Sequence, residues 1–154
     1  IEKEKQEEWG VLEEVIKEYN KLGKKFNYCC CIYPTAPLIK IEHLIKAYKL
    51  LKEKQYDTVF PVIRFSYPIQ RALKLENDKI SMIYPENERK RSQDLMPAYH
   101  DSGQFYWLCT DSLLKNKRLF TDNSGAIILS ELEVQDIDTE EDWKMAEMKY
   151  KLLK

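Results

Sequence analysis

Asp136 and Asp138 stand two residues apart in Val134-Gln135-Asp136-Ile137-Asp138-Thr139. Ile127 to Val134 is rich in β-branched and aliphatic residues and predicts a strand, whereas Trp143, Ala146, Met148, Tyr150 and Leu153 recur at helical spacing from Glu140 onward. Where a strand gives way to a helix, residues two apart on extended backbone point to one side, with Cα atoms about 6.6 Å apart. That geometry suits a hard divalent cation such as Mg2+, which takes one or two carboxylates and completes its shell with waters and substrate phosphates. An acidic helix start is the competing reading, because the macrodipole favours carboxylates at a helix N-terminus. It accounts for Glu140 and Glu141, and it stays open for the Asp136/Asp138 pair. Thr139 predicts an N-cap, with Asp142 as its capping-box partner.

Two further stretches carry polar chemistry. From Arg91 onward, Gln93, Tyr99, His100, Gln104 and Tyr106 crowd around Gly103 and lead into an aromatic strand. Such a mixture suits a polyhydroxylated, anionic small molecule, with Arg91 able to grip a carboxylate or phosphate through two parallel hydrogen bonds. A polar loop before a core strand explains Phe105 and Leu108 equally well, and His100 is either a substrate contact or a surface histidine. The other stretch is Pro34-Thr35-Ala36-Pro37-Leu38, at the carboxyl end of the apolar run Tyr28–Tyr33. Open α/β sheets place ligands at such ends, and a proline-fixed turn is the alternative.

The elements that must position these groups follow from periodicity. Trp9, Leu12, Val15, Ile16, Tyr19 and Leu22 predict an amphipathic helix from Ile1 to about Leu22, ended by Gly23. Tyr28 to Tyr33 reads as a central parallel strand covered on both faces, and Ile41 to Lys54 as the next helix. Thr58 to Phe65 predicts a strand in which Pro61 marks an edge or a bulge. Ala72–Leu75 and Ile80–Tyr84, joined through Asn77-Asp78, predict a hairpin. Asp111 to Lys117 reads as a short helix capped by Asp111. The consecutive Cys29, Cys30 and Cys31 alternate faces of a strand, which excludes a zinc site and predicts core thiols.

Composition bounds the class. With 154 residues, 44% of them hydrophobic, the chain fits one domain with a sizeable core. A net charge of -1 gives no electrostatic footprint for nucleic acid. No apolar run approaches a membrane span, and a cytoplasmic compartment is expected. The sequence opens without Met inside a helical pattern, and its four glycines form no phosphate-cradling cluster. Residues 1–154 therefore read as the C-terminal portion of a single, N-terminally incomplete domain.

Five motifs stand in a recognisable order: Tyr33-Pro34-Thr35-Ala36-Pro37-Leu38, Tyr67-Pro68-Ile69-Gln70-Arg71-Ala72, Arg91-Ser92-Gln93-Asp94-Leu95, Tyr99-His100-Asp101-Ser102-Gly103-Gln104-Phe105-Tyr106 and Gln135-Asp136-Ile137-Asp138-Thr139. In that order they resemble the acylneuraminate cytidylyltransferases, and the second to fourth look most like the branch acting on pseudaminic acid. The resemblance runs from about Tyr28 to the C-terminus. It implies a Rossmann-like α/β nucleotidyltransferase fold, mostly parallel, with a small antiparallel hairpin annex. It also implies condensation of CTP with a nonulosonic acid to give a CMP-sugar and pyrophosphate.

By the same resemblance Asp136 and Asp138 hold Mg2+, Thr35 faces the nucleotide and Tyr33 the sugar. Gln70 falls where relatives acting on neuraminic acid carry a sugar-site Lys, so that Arg71 would supply the charge. Arg91, Ser102 and Tyr106 match sugar-pocket positions, and Gln93, His100 and Gln104 lie in the same substrate-binding motifs. Leu119 and Phe120 match a loop inserted across a homodimer interface. The family's N-terminal loop resembling Ala-Arg-x-Gly-Ser-Lys, which binds the CTP phosphates, has no counterpart here. A truncated sugar-binding or dimerising module, and transfer of CMP to another ulosonic acid, remain the alternatives.

Overall fold

The computed structural model describes residues 2–154, and side chains from Trp9 onward. Helix α1 spans Glu2–Lys21, so Ile1, where the predicted helix begins, lies outside the described residues. Gly23 takes φ +73° and the Lys24 N–H closes on the Tyr19 carbonyl at 3.0 Å, a left-handed stop that glycine makes without strain. Strands β1 (Tyr28–Ile32), β2 (Thr58–Arg64), β5 (Tyr99–Asp101), β6 (Phe105–Cys109) and β7 (Ser124–Leu129) form one sheet. Strands β3 (Leu73–Glu76) and β4 (Lys79–Met82) form a separate hairpin, with Asn77 and Asp78 at φ 51° and 61° in its turn. Helices α2 (Ile41–Lys54), α3 (Thr110–Asn116) and α4 (Glu140–Leu152) and four short 3-10 turns complete the described elements.

The mostly parallel sheet expected from the sequence is overturned. β1 pairs β6, β6 pairs β2 and β2 pairs β5, all antiparallel, and β2 with β7 is the one parallel pairing among the described residues. β1, β2 and β7 do run in one direction, but β6 runs back between the first two. A continuous apolar run records burial on two faces and carries no information about the direction of its neighbour. β1 is accordingly an edge, with Ile32 51% exposed, where a central strand was expected. The last strand also lies earlier than predicted, at Ser124–Leu129, and a 3-10 turn at Glu131–Glu133 follows it. Asp111 lies in the first turn of α3 and does not cap it.

The sheet separates two cores. Ala47, Leu51, Val59, Ile63, Phe105 and Ile127 pack on the α2 side, and Ile16, Phe60, Val62, Tyr106, Leu108 and Leu113 on the side of α1 and α3. Strand alternation produces this division, because Phe105 and Trp107 face the first core and Tyr106 and Leu108 the second. Cys30 joins the first core, Cys29 and Cys31 the second. Burial pushes the Cys29 thiol up to about 11 and that of Cys30 up to about 12, so both pack as neutral hydrophobes. Among the described residues, no helix is long and apolar enough to cross a membrane.

Asp57, just before β2, ties the lower end of the sheet. It accepts from Ser112 Oγ at 2.8 Å, Thr121 Oγ1 at 2.9 Å and Asn116 Nδ2 at 3.4 Å, linking α3 and the loop before β7. Partial burial pushes its carboxyl up, but the bonds from Ser112, Thr121 and Asn123 and the charge of Lys115 outweigh it and hold the group below the usual carboxylate range. A carboxylate with a depressed folded pKa stabilises fully above its unfolded pKa of about 4, and loses that contribution as pH falls through the folded value. Asp57→Ala should cost about 1–2 kcal/mol at pH 7, discounted for partial exposure. Urea unfolding at pH 7 and pH 3 checks this, and the gap between wild type and variant should narrow in acid.

Candidate active site

β5 and β6 are two pieces of one strand laid against β2. β5 pairs Val62 to Arg64, and β6 pairs Thr58 and Val59. The break at Ser102-Gly103-Gln104 lies opposite Pro61. A residue's N–H and C=O leave a strand on the same side, and the Pro61 carbonyl accepts from the Ser102 N–H at 3.2 Å. The donor that proline lacks would therefore face the bulge, which is how a proline sits in a strand paired on both edges. Pro61 thus announces a bulge, and the bulge belongs to its partner.

The bulge is braced from within. Gly103 takes φ +66° and donates its N–H to Asp101 Oδ1 at 2.9 Å, and the Tyr106 hydroxyl donates to the other Asp101 oxygen. It then reaches both neighbouring loops. The Tyr33 N–H donates to the Gln104 carbonyl at 3.0 Å, fixing the Pro34–Leu38 loop. The fully buried Gln104 donates Nε2 to the Glu133 carbonyl at 2.8 Å, and a Cβ on Gly103 would stand 3.0 Å from Asp136 Oδ2. Only a glycine lets that carboxylate lie there unmoved.

The Val134–Thr139 loop is held at each end. Glu133 Oε1 accepts from Lys40 at 2.7 Å, and the Val134 carbonyl from Lys149 at 2.7 Å. Thr139 and Asp142 form the predicted capping box. Asp142 also accepts from the Asp138 N–H at 3.3 Å and from Gln135 Nε2 at 3.3 Å. The bond from the Thr139 hydroxyl, with the backbone N–H groups, holds the Asp142 carboxyl below the usual range. Asp136 and Asp138 are thereby left exposed on one wall.

That wall belongs to a cavity of about 1170 Å³. Of the residues singled out in the sequence, Tyr33, Thr35, His100, Ser102, Tyr106, Asp136 and Asp138 line it together. Tyr33 and Tyr106 meet edge to face at 5.7 Å. Ser102 is 4% exposed, and its Oγ has no partner among the described residues; a buried hydroxyl in that condition is short of a hydrogen bond that a ligand can supply.

Gln70, Arg71, Arg91, Gln93 and Gln104 do not line the cavity. Gln70 donates to the Met96 carbonyl at 2.9 Å, and Arg91 is paired with Asp94 at 2.9 Å on the surface. Arg71 and Gln93 are exposed away from it. Leu119 is buried in the second core, and Phe120 meets Phe60 edge to face at 4.8 Å.

The sequence reading missed Asp101, Glu131, Gln135 and Lys149, all on the cavity wall. Asp101 had a signal, since Asp-Ser-Gly is a sequence in which Asp bonds the backbone two residues on. Lys149 had a weaker one, lying two helical turns past Asp142 on the same face. Four carboxylates (Asp101, Glu131, Asp136 and Asp138) and one ammonium (Lys149) therefore set the charge of the wall. Among the described residues no three His, Cys, Asp or Glu are arranged to hold a metal. Asp136 and Asp138 offer two exposed carboxylates on that wall, the donor type that Mg2+ takes when water and phosphate supply the rest of its shell.

No family model matches the chain. Over 140 residues, 90% of its length, it is 36% identical to a pseudaminic acid cytidylyltransferase of Campylobacter jejuni. It is also 36% identical, over 74% of its length, to a Helicobacter pylori protein described as a pseudaminic acid cytidylyltransferase and UDP-sugar hydrolase, covering 22% of that protein. An N-acylneuraminate cytidylyltransferase A of Danio rerio is 27% identical over 88% of the chain and 32% of its own length. The chain spans 59% of the Campylobacter protein. Its wall of Tyr33, Thr35, Ser102, Tyr106, Asp136 and Asp138 thus sits within a homologous stretch that covers nearly the whole chain, and that homology is with the pseudaminic acid cytidylyltransferases.

Proposed function

We propose that this chain carries the acceptor and metal side of a cytidylyltransferase that condenses CTP with a nonulosonic acid, pseudaminic acid by its closest motifs. The observation that carries the reading is the convergence on one cavity of the Tyr33–Thr35 loop, the Ser102–Gly103 bulge and the Asp136/Asp138 loop. In the reaction the sugar's anomeric oxygen forms a bond to the α-phosphorus of CTP as the bond to the bridging β-phosphate oxygen breaks. Pyrophosphate leaves, and the hydroxyl proton passes to solvent.

Asp136 and Asp138 would hold Mg2+, which supplies neutralisation of charge at the phosphate oxygens. The acid-rich wall repels a bare triphosphate, so the nucleotide enters with its counter-cation. Ser102 Oγ offers the sugar a buried hydrogen bond, Tyr33 and Tyr106 an apolar wall, and Thr35 a hydroxyl on the nucleotide side. With Arg71 and Arg91 turned elsewhere, the sugar carboxylate is not read by either of them in this arrangement. A cytoplasmic site of action accords with the use of CTP. The homodimer belongs to the same reading: Phe120 is 36% exposed, whereas Leu119 is buried.

Pyrophosphate release from CTP and Mg2+, with pseudaminic acid and N-acetylneuraminic acid as parallel acceptors, tests the function. The assay is run on this chain and on a version carrying the further length found in the relatives. Turnover with pseudaminic acid is expected, and Asp138→Asn should lower it about a hundredfold or more. No turnover with either acceptor in either version would sink the proposal. Gly103→Ala places a Cβ at positive φ and against Asp136. It should lower thermal stability by about 1 kcal/mol and raise the Mg2+ concentration needed for half-maximal rate. Sedimentation of the wild type as a monomer at assay concentration would remove the dimer.

A further inference from the structure

Lys149 lies in the C-terminal half of α4, half-buried, on the wall of the cavity. Among the described residues it is the one Lys or Arg lining that space. Its Nζ donates to the Val134 carbonyl at 2.7 Å. Among the described residues it makes no ion pair, although four carboxylates share the same wall.

An ammonium has three donors and no acceptor. One donor is taken by a neutral carbonyl, which fixes the position of the group but does not offset its charge. Two donors and the full charge remain in a half-buried place, where an anionic partner is worth more than at the open surface. The carbonyl bond also sets the ammonium at the root of the Asp136/Asp138 loop, so the loop presents the positive charge without cancelling it. Among anions, phosphate suits this place best: Lys meets it as a compact point charge, and the adjacent aspartates suit a cation that phosphate itself brings.

We propose that Lys149 binds phosphate oxygens of the nucleotide and of pyrophosphate. It supplies the cationic contact that Arg71 and Arg91, turned away from the cavity, do not. The inference rests on the cytidylyl-transfer reading above.

Titration calorimetry in the presence of Mg2+ tests it, with CTP, inorganic pyrophosphate, cytidine and N-acetylneuraminic acid as probes. Wild type is compared with Lys149→Gln, which keeps a donor for the Val134 carbonyl but loses the charge, and with Lys149→Arg, which keeps both. Lys149→Met is a second charge-free variant, and thermal unfolding of each confirms the fold. The charge-free variants should bind CTP and pyrophosphate about tenfold more weakly, with cytidine and N-acetylneuraminic acid within about twofold of wild type. Lys149→Arg should retain CTP affinity within about threefold. The salt dependence of CTP binding should flatten in the charge-free variants alone. Unchanged pyrophosphate and CTP affinity in those variants overturns the role of Lys149 and leaves the functional reading standing. A loss confined to N-acetylneuraminic acid also overturns it, in favour of a carboxylate contact. A wild type that binds neither CTP nor pyrophosphate, even when it carries the further length found in the relatives, overturns both.

Discussion

The bulge at Ser102-Gly103-Gln104 is the constraint on which the site depends. Asp101 closes it by accepting from the Gly103 N–H and the Tyr106 hydroxyl, and Gly103 admits the positive φ that the closure requires. From this one irregularity the chain reaches Tyr33 on one side and Glu133 and Asp136 on the other. A regular strand through residues 99–109 would bury these groups in the ladder. Bulges re-aim side chains and end pairing locally, and here both effects serve a single cavity.

The central strand, β2, carries different tasks at its two ends. At the start, Asp57 gathers hydroxyl and amide donors from α3 and the loop before β7 into a hub that serves stability. From its middle onward, Pro61 leaves the ladder one donor short, and the irregular partner strand opens toward solvent. Separating the two ends lets the site be irregular without loosening the sheet.

Electrostatics explains why an acidic wall is tolerated. Asp138 directly precedes the N-cap of α4, whose macrodipole offsets part of the repulsion there. Asp142 is turned inward to the capping box, so it steadies the loop and adds nothing to the charge facing the cavity. Lys40, Gln104 and Lys149 hold three successive groups, the Glu133 carboxylate, the Glu133 carbonyl and the Val134 carbonyl, from three different elements. The loop carrying the two aspartates is therefore fixed before any ligand arrives.

Local chemistry was legible in the sequence. The capping box of Thr139 and Asp142, the hairpin turn at Asn77-Asp78, the glycine stop after α1 and the alternation of Cys29 to Cys31 across the sheet each depend on a few neighbouring residues. So does the pairing of Asp136 with Asp138 on one wall, and the order of motifs carried the kinship. Strand direction was not legible, because apolar alternation is the same whichever way a neighbour runs, and β6 entered between β1 and β2 unannounced. Nor could the sequence separate Arg91, which has Asp94 three residues on to pair with, from a ligand-binding arginine. Gln104 looked like a polar contact and proved a buried strut, while Lys149 looked like helix surface and faces the cavity. Which polar groups meet is decided by segments far apart in the chain, and only tertiary packing brings α4, the bulge and the Tyr33 loop to one place.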